Sequence, residues 1–391
     1  MNRLSTATLF FLLCFLLSAC IKDQTSLTMA PQLFSGEEYA IIQEKLNIDR
    51  EVTSFQVELP RHMAITGNPS AVNDAAALMG RVLFYDTQLS ATGETSCASC
   101  HHQDKAFSDD VSFSLGINGQ LTKRNSLALS AVPNFEASYD SPGRDGDIVE
   151  FFWDERANSI FAQSLETIEN EIEMGRSIAD LTADLNTQEM YRILNEKAFQ
   201  TQNIQDHHIL EALQVFCNAL ASTNSRFDRL MDQEFFGESS NNEPAWTRQE
   251  QEGRALYNRD CASCHSFDMS FPGSATANNG LDLVYTDKGK GEIFGSQFNG
   301  IFKVPFLRNI ELTGPYMHDG RFETLEEVID HYSENIQSHP NLSPALMNGS
   351  TSEPKRFNYS AEEKAAIIQF LKSTTDDVLP NVERFSDPFI R

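Results

Sequence analysis

An all-α fold of two domains is predicted by three observations: apolar residues recur at helical spacing, no pair of segments alternates as a sheet would, and the chain repeats itself. Ile209, Ala212, Leu213, Phe216, Cys217 and Leu220 follow the i, i+3, i+4, i+7 pattern of a helix with one buried face. That stripe makes Cys217 a core thiol. Thr324-Leu-Glu-Glu327 and Ser360-Ala-Glu-Glu363 match capping boxes that open helices. Short hairpins in the loops are compatible with this pattern. The repeat pairs Gly80-Arg-Val-Leu-Phe-Tyr85 with Gly253-Arg-Ala-Leu-Tyr257 and reads as domain duplication. The stretch from Phe236 to Pro244, through Gly-Glu-Ser-Ser-Asn-Asn-Glu, breaks every apolar period. It separates a first domain at 60–237 from a second at 245–391.

Length and charge narrow the class. The 391 residues carry 30 basic and 56 acidic side chains, a net charge of -26, with 40% hydrophobic residues. Such a composition excludes collagen, low-complexity disorder and a bundle of membrane helices. The acidic excess repels phosphate backbones, so no nucleic-acid partner is expected.

The first twenty residues place Arg3 before an apolar run from Leu9 to Leu17. Nine residues cannot span a bilayer. With Ser18 and Ala19 following, residues 1–19 read as a secretory signal peptide. Leu17-Ser18-Ala19-Cys20 also resembles the lipobox of bacterial lipoproteins, which makes Cys20 a lipid anchor; the alternative is an ordinary export signal with Cys20 incidental. Residues 20–59 are then a tether and lead-in. The expected location is the periplasm or outer cell envelope, with membrane contact through the lipid alone.

Export shapes how the cysteines are read. Of seven, four form two pairs, each followed at once by histidine: Cys97-Ala-Ser-Cys100-His101 and Cys261-Ala-Ser-Cys264-His265. C-x-x-C-H is the c-type haem attachment signal. Two thiols form thioethers with the haem vinyl groups while the adjacent imidazole ligates iron from one face. Zinc would need four converging ligands, and a thioredoxin-like pair would need a βαβ context. The fold class becomes all-α with two cytochrome c-like domains, each carrying one covalent c-type haem. Gly80 precedes Cys97 by 17 positions and Gly253 precedes Cys261 by 8, so the first copy carries extra residues near Asp86–Glu94.

These residues resemble the bacterial dihaem cytochrome c peroxidases, together with the dihaem enzyme that matures a tryptophan-derived quinone in methylamine dehydrogenase. The resemblance runs from about 75 to 375. Its carriers are Gly80-Arg-Val-Leu-Phe84, both haem motifs, Arg124-Asn125, Phe152-Trp153-Asp154 with Arg156-Ala157, Glu173-Met-Gly175, Val304-Pro-Phe-Leu-Arg-Asn309 and Pro315-Tyr-Met-His-Asp-Gly320.

The resemblance implies that His101 is the proximal ligand of a peroxide-reacting haem. It implies catalytic roles for Gln163 and Glu173, ten and twenty residues after Trp153, which itself lies between the haems. Ten residues turn about 280° around a helix, so Gln163 and Glu173 converge only through a loop. A carboxylate above an open iron position takes a proton from peroxide and returns it to the leaving oxygen. Thr167 stands where relatives carry a proline. At the second haem, with proximal His265, the position fourteen after His318 is Tyr332, as in the quinone-forming relative; peroxidases have methionine there. Leu325, Val328, Ile329 and Tyr332 share one helical face, with His331 pointing away. Met317 is a rival ligand, and a core role for Tyr332 is the other alternative. A phenolate ligand favours oxidised iron, a thioether favours reduced iron.

The family also holds calcium between its domains, which maps to Asn125, Thr313 and Pro315, with His318 ordering the surroundings. His62 and His339 are expected to face solvent. The implied activity is reduction of hydrogen peroxide to water, with electrons delivered through the C-terminal haem from a donor protein such as a small cytochrome c or cupredoxin. The alternatives are a peroxide-driven oxidase that modifies a partner protein or organic donor, and a non-enzymatic dihaem electron carrier. A homodimer is left open.

Overall fold

Residues 32–64, 71–130, 150–237, 243–267, 269, 276–349 and 353–391 are described by the computed structural model. The signal peptide and Cys20 lie outside the described residues. Helices dominate: α1 (Gly36–Ile42), α2 (Arg61–Ala64), α3 (Asp74–Tyr85), α4 (Ile160–Glu169), α5 (Ile178–Asn186), α6 (Glu189–Phe199), α7 (Asp206–Ala219), α8 (Arg226–Phe236), α9 (Arg248–Asp260), α10 (Ala262–His265), α11 (Gly291–Phe294), α12 (Leu325–Asp330) and α13 (Ala361–Lys372). The described strands are β1 (Thr276–Ala277) and β2 (Phe302–Lys303), paired antiparallel with Thr276 opposite Lys303.

The repeated glycines explain the duplicated motif. A Cβ on Gly80 of α3 would lie 2.0 Å from the Ala212 carbonyl oxygen of α7, and one on Gly253 of α9 would lie 1.9 Å from the Ala366 carbonyl oxygen of α13. In each pair a phenylalanine one turn further, Phe216 or Phe370, closes over the glycine. Only a residue without a side chain lets two helix backbones meet this closely.

Two large apolar clusters grow from these crossings. The first gathers Leu78, Val82, Leu83, Leu194, Leu213 and Phe216, and the second Leu256, Tyr257, Leu325, Ile329, Ile367 and Phe370. Packing crosses the division read from sequence at two places, and the N-terminal lead-in joins the first half. Phe227 and Met231 of α8 belong to the second cluster. Leu379 and Phe385, from the C-terminal segment, belong to the first. In the segment read as a tether and lead-in, Phe34, Ile42, Leu46, Ile48 and Phe55 are buried in the first cluster. The part from Leu33 to Phe55 is therefore folded rather than a loose tether. Its apolar spacing is too irregular to announce that.

The motif Val304–Asn309 ties the halves together. Arg308 is fully buried and donates to both carboxylate oxygens of Asp228 on α8 at 2.8 Å. Asn309 donates to Ser130 at 3.0 Å and accepts from the Asp376 amide at 2.7 Å. His62, expected to face solvent, is instead enclosed, with Nδ1 2.8 Å from Asp232 and Nε2 3.5 Å from Asp228. The short α2 packs on α8, and that packing buries the ring.

Candidate functional site

A cavity of about 680 Å³ is lined by Cys97, Cys100, His101, Asn125, Trp153, Gln163, Thr167 and Glu173 from the first half, and by Lys303, Thr313, Pro315 and Met317 from the second. Its volume lies in the range of cofactor sites.

Cys97–Ser99 forms a single tight turn, and the His101 amide closes on the Cys97 carbonyl at 3.0 Å, setting thiols and imidazole side by side. His101 Nδ1 donates to the Phe107 carbonyl at 2.8 Å. Burial lowers the imidazole pKa, so the ring is neutral and Nε2 keeps its lone pair for a metal. Burial pushes the Cys97 thiol up to about 12 and Cys100 up to about 11, and the two are not joined in a disulfide. These residues fit a covalently attached haem.

Gln163 sits on α4, and Glu173 lies in the turn that follows it, held by its amide to the Asn170 carbonyl at 3.1 Å. The loop expected between them is this turn. Gln163 Nε2 donates to Thr167 Oγ1 at 3.0 Å, and the Thr167 hydroxyl in turn hydrogen-bonds the Glu173 carboxylate. Thr167 thus stands between the Gln163 carboxamide and the Glu173 carboxylate. Burial raises the Glu173 pKa, against the lowering effects of Thr167 and Arg156. The sequence marked Thr167 only as a departure; its link to two catalytic candidates follows from i+4 spacing to Gln163 on α4.

Trp153 is presented by a loop closed by a bridge between Phe151 and Ala157. Phe152 and Glu155 adopt positive φ, 67° and 54°, a conformation that persists only where surrounding contacts hold it. The indole Nε1 donates to the Asn125 carbonyl at 2.8 Å, and the Trp153 carbonyl accepts from the Lys303 amide at 2.8 Å. Trp153 clusters with Leu281, Tyr285 and Phe302, so it bridges the two halves. Lys303, unmarked by the sequence reading, is lowered to about 8 by burial and lies 3.8 Å from Glu155. Its partners are 148–153 positions away, beyond any local pattern.

The second cysteine pair forms a separate site. α9 delivers Cys261, and α10 carries Cys264 and His265. His265 Nδ1 donates to the Pro305 carbonyl at 2.9 Å, repeating the arrangement at His101, and burial pushes the ring down to about 4. Cys261 is pushed up to about 12. Burial raises the Tyr332 phenol well above its ordinary value, and the nearby Cys264 and Cys261 sulfurs add to the rise. These residues also fit a covalent haem with Tyr332 beside it. The face expected for α12 needs a correction. Leu325 and Ile329 are buried, but the α-helix ends at Asp330 and a π-turn spans His331–Asn335. The wider turn brings His331 inward as well, 4% exposed, with Nε2 donating to the Asn279 carbonyl at 3.0 Å.

Asn125, Thr313 and Pro315 all line the large cavity. Asn125 commits Nδ2 to the Val111 carbonyl at 3.0 Å, which leaves Oδ1 as the oxygen for a cation. Its amide takes the His318 carbonyl at 2.8 Å. Oxygen donors of this kind fit calcium.

The model of the di-haem cytochrome c peroxidase family matches residues 74–235. Over 303 residues the chain is 30% identical to the methylamine utilization protein MauG of Methylorubrum extorquens, covering 75% of this chain and 76% of that protein. Over 312 residues it is 28% identical to the cytochrome c551 peroxidase of Nitrosomonas europaea, covering 78% and 81%. Among solved structures it resembles a MauG-like protein associated with microbial copper homeostasis, at 29% identity and a TM-score of 0.67, over 88% of this chain and 99% of that one. The chain belongs to the di-haem cytochrome c peroxidase family.

Proposed function

We propose that the protein reduces hydrogen peroxide, H2O2 + 2 e⁻ + 2 H⁺ → 2 H2O, in the cavity shared by His101 and Glu173. The observation that carries this reading is the Gln163–Thr167–Glu173 chain in the same cavity as the first Cys-Cys-His motif. Haem bound there supplies the iron that binds peroxide, and haem at the second motif supplies a redox store. Glu173 takes the first peroxide proton and returns it to the departing oxygen, and Gln163 with Thr167 holds the carboxylate in register. Trp153 joins the two sites through its position in the bridging cluster. Cys97, Cys100 and His101 hold one haem, and Cys261, Cys264 and His265 the other, in domains 60–237 and 245–391. Asn125 with the Thr313 and Pro315 carbonyls holds calcium between them. Electrons arrive from a small donor protein, and the chain is exported and anchored through Cys20.

A ferric spectrum tests this: one high-spin haem altered by peroxide supports it, and two low-spin haems inert to peroxide refute it. A second reading is favoured by Tyr332 beside Cys261 and Cys264: the oxidising equivalents are drawn from a partner protein or organic donor rather than from a high-potential cytochrome. Retained partner oxidation in wild type and its loss in Tyr332→Met would single out this second reading.

A further inference from the structure

Three side chains of the C-terminal half have donor atoms suited to iron: Tyr332 by its phenol, within electrostatic reach of Cys261 and Cys264, Met317 by its thioether, in the lining of the larger cavity, and His331 by its imidazole. One residue touches all three. The Asn279 carboxamide Nδ2 lies 3.4 Å from Met317 Sδ, and the same side chain is near enough to the Tyr332 hydroxyl to favour its ionised form. The Asn279 carbonyl accepts from His331 Nε2 at 3.0 Å. His331 and Tyr332 are themselves adjacent, with rings 5.1 Å apart on the π-turn.

The backbone on either side of Asn279 is fixed. Asn278 is 1% exposed; its side chain donates to the Gly300 carbonyl at 2.8 Å and accepts from the Gly280 amide at 2.9 Å. Its carbonyl accepts from Ser343 at 3.0 Å, and the Gly280 carbonyl accepts from Gln337 at 2.7 Å. Asn279 is therefore a rigid fixture against which the side chains around it are sorted.

We propose that Asn279 selects the second haem's distal ligand: one N–H presents the Tyr332 oxygen, the other retains the Met317 sulfur, and the backbone carbonyl occupies the His331 nitrogen. Asn279 is a positioning residue, and the proposal rests on the reading that Tyr332 ligates that haem. A carboxamide nitrogen has two hydrogens, so one side chain can serve both the sulfur and the phenol oxygen. Second-shell partners of this kind fix which ligand a metal sees and how it is aimed. The consequence is electronic. Holding the thioether back keeps the second site at low potential, because a thioether ligand raises it.

The test uses the haem-loaded protein in wild type, Asn279→Leu, Asn279→Leu/Met317→Leu and Tyr332→Phe. The readouts are the near-infrared charge-transfer band of thioether-ligated ferric haem and the second reduction potential. Asn279→Leu keeps the branched outline, in a somewhat larger side chain, and removes both donors; it is expected to gain the thioether band and an upward shift in potential, and the double variant to lose the band. Asn279→Asp, which keeps the shape and removes the N–H groups, gives the same readout if the leucine variant folds poorly. An Asn279→Leu spectrum and potential identical to wild type, with Tyr332→Phe altered, would overturn the selector while leaving tyrosine ligation standing. A second haem unchanged in Tyr332→Phe would overturn the ligation reading and the selector with it.

Discussion

Glu173→Gln should slow peroxide turnover and stabilise the fold at the same time. Glutamine has nearly the volume of glutamate and keeps an oxygen to accept from Thr167, so the cavity and the Gln163–Thr167 link persist. What is lost is the group that takes and returns a proton. Removing a general acid/base costs roughly 10²–10⁴ in rate, and at 1.36 kcal/mol per decade that is about 2.7–5.4 kcal/mol of barrier. Stability moves the other way. Burial raises the Glu173 pKa, so the ionised form is disfavoured by folding, and the stability tied to its protonated form is fully present below the unfolded value of about 4.3 and lost as pH rises through the folded one. At neutral pH the charge is a net cost that Gln removes, so the variant should melt higher than wild type, with the gap closing on acidification. Wild-type activity should fall on the acid side through a pKa above the usual carboxylate range. Steady-state peroxide consumption and thermal melts at pH 4 to 8 measure both. A variant that keeps turnover within threefold, or one that loses activity and melts lower at neutral pH, refutes the assignment.

Other changes probe the frame and the second site. Gly80→Ala and Gly253→Ala each force a methyl against a helix carbonyl at 2.0 or 1.9 Å, so each should cost at least the upper end of the roughly 1–3 kcal/mol of overpacking, read by chemical denaturation; a loss under about 0.5 kcal/mol contradicts the crossing. Asp228→Asn leaves the Arg308 charge buried and should cost about 3–5 kcal/mol. Burial alone would raise the Asp228 pKa, but Arg308 more than offsets it and holds it below its ordinary value. The stability this pair gives is therefore present above about pH 4 and lost below it in wild type, and that acid step should shrink in Asp228→Asn. Tyr332→Met should raise the second reduction potential in a spectroelectrochemical titration, and an unchanged or lower potential counts against Tyr332 as ligand.

Much of this was readable from residues alone. The boxes at Thr324 and Ser360 are formed as expected, with Glu327 and Glu363 amides accepted by the cap hydroxyls, because capping is decided within four residues. The stripe from Ile209 to Cys217 is buried for the same local reason, and α7 stops at Ala219. What escaped was non-local or broke the period. The π-turn at His331–Asn335 shifts the register that a 3.6-residue count assumes, so such a count turns His331 to the wrong side. Asn279 meets Met317 and His331 across 38 and 52 positions, and Lys303 meets Glu150 across 153, with no periodicity to mark either. The enclosure of His62 depends on where α2 lands on α8, which is a matter of tertiary packing.

The proposed chemistry requires haem joined through sulfur at Cys97, Cys100, Cys261 and Cys264. Intact mass and a denatured haem absorbance spectrum, taken on protein exported from a host that matures c-type cytochromes, test it most directly. The predicted result is a mass greater than the polypeptide and any acyl groups by two haems, falling to one in Cys97→Ala/Cys100→Ala and to one in Cys261→Ala/Cys264→Ala. Colourless protein, or haem that is extracted by acid acetone with the mass left at that of the polypeptide, would contradict it.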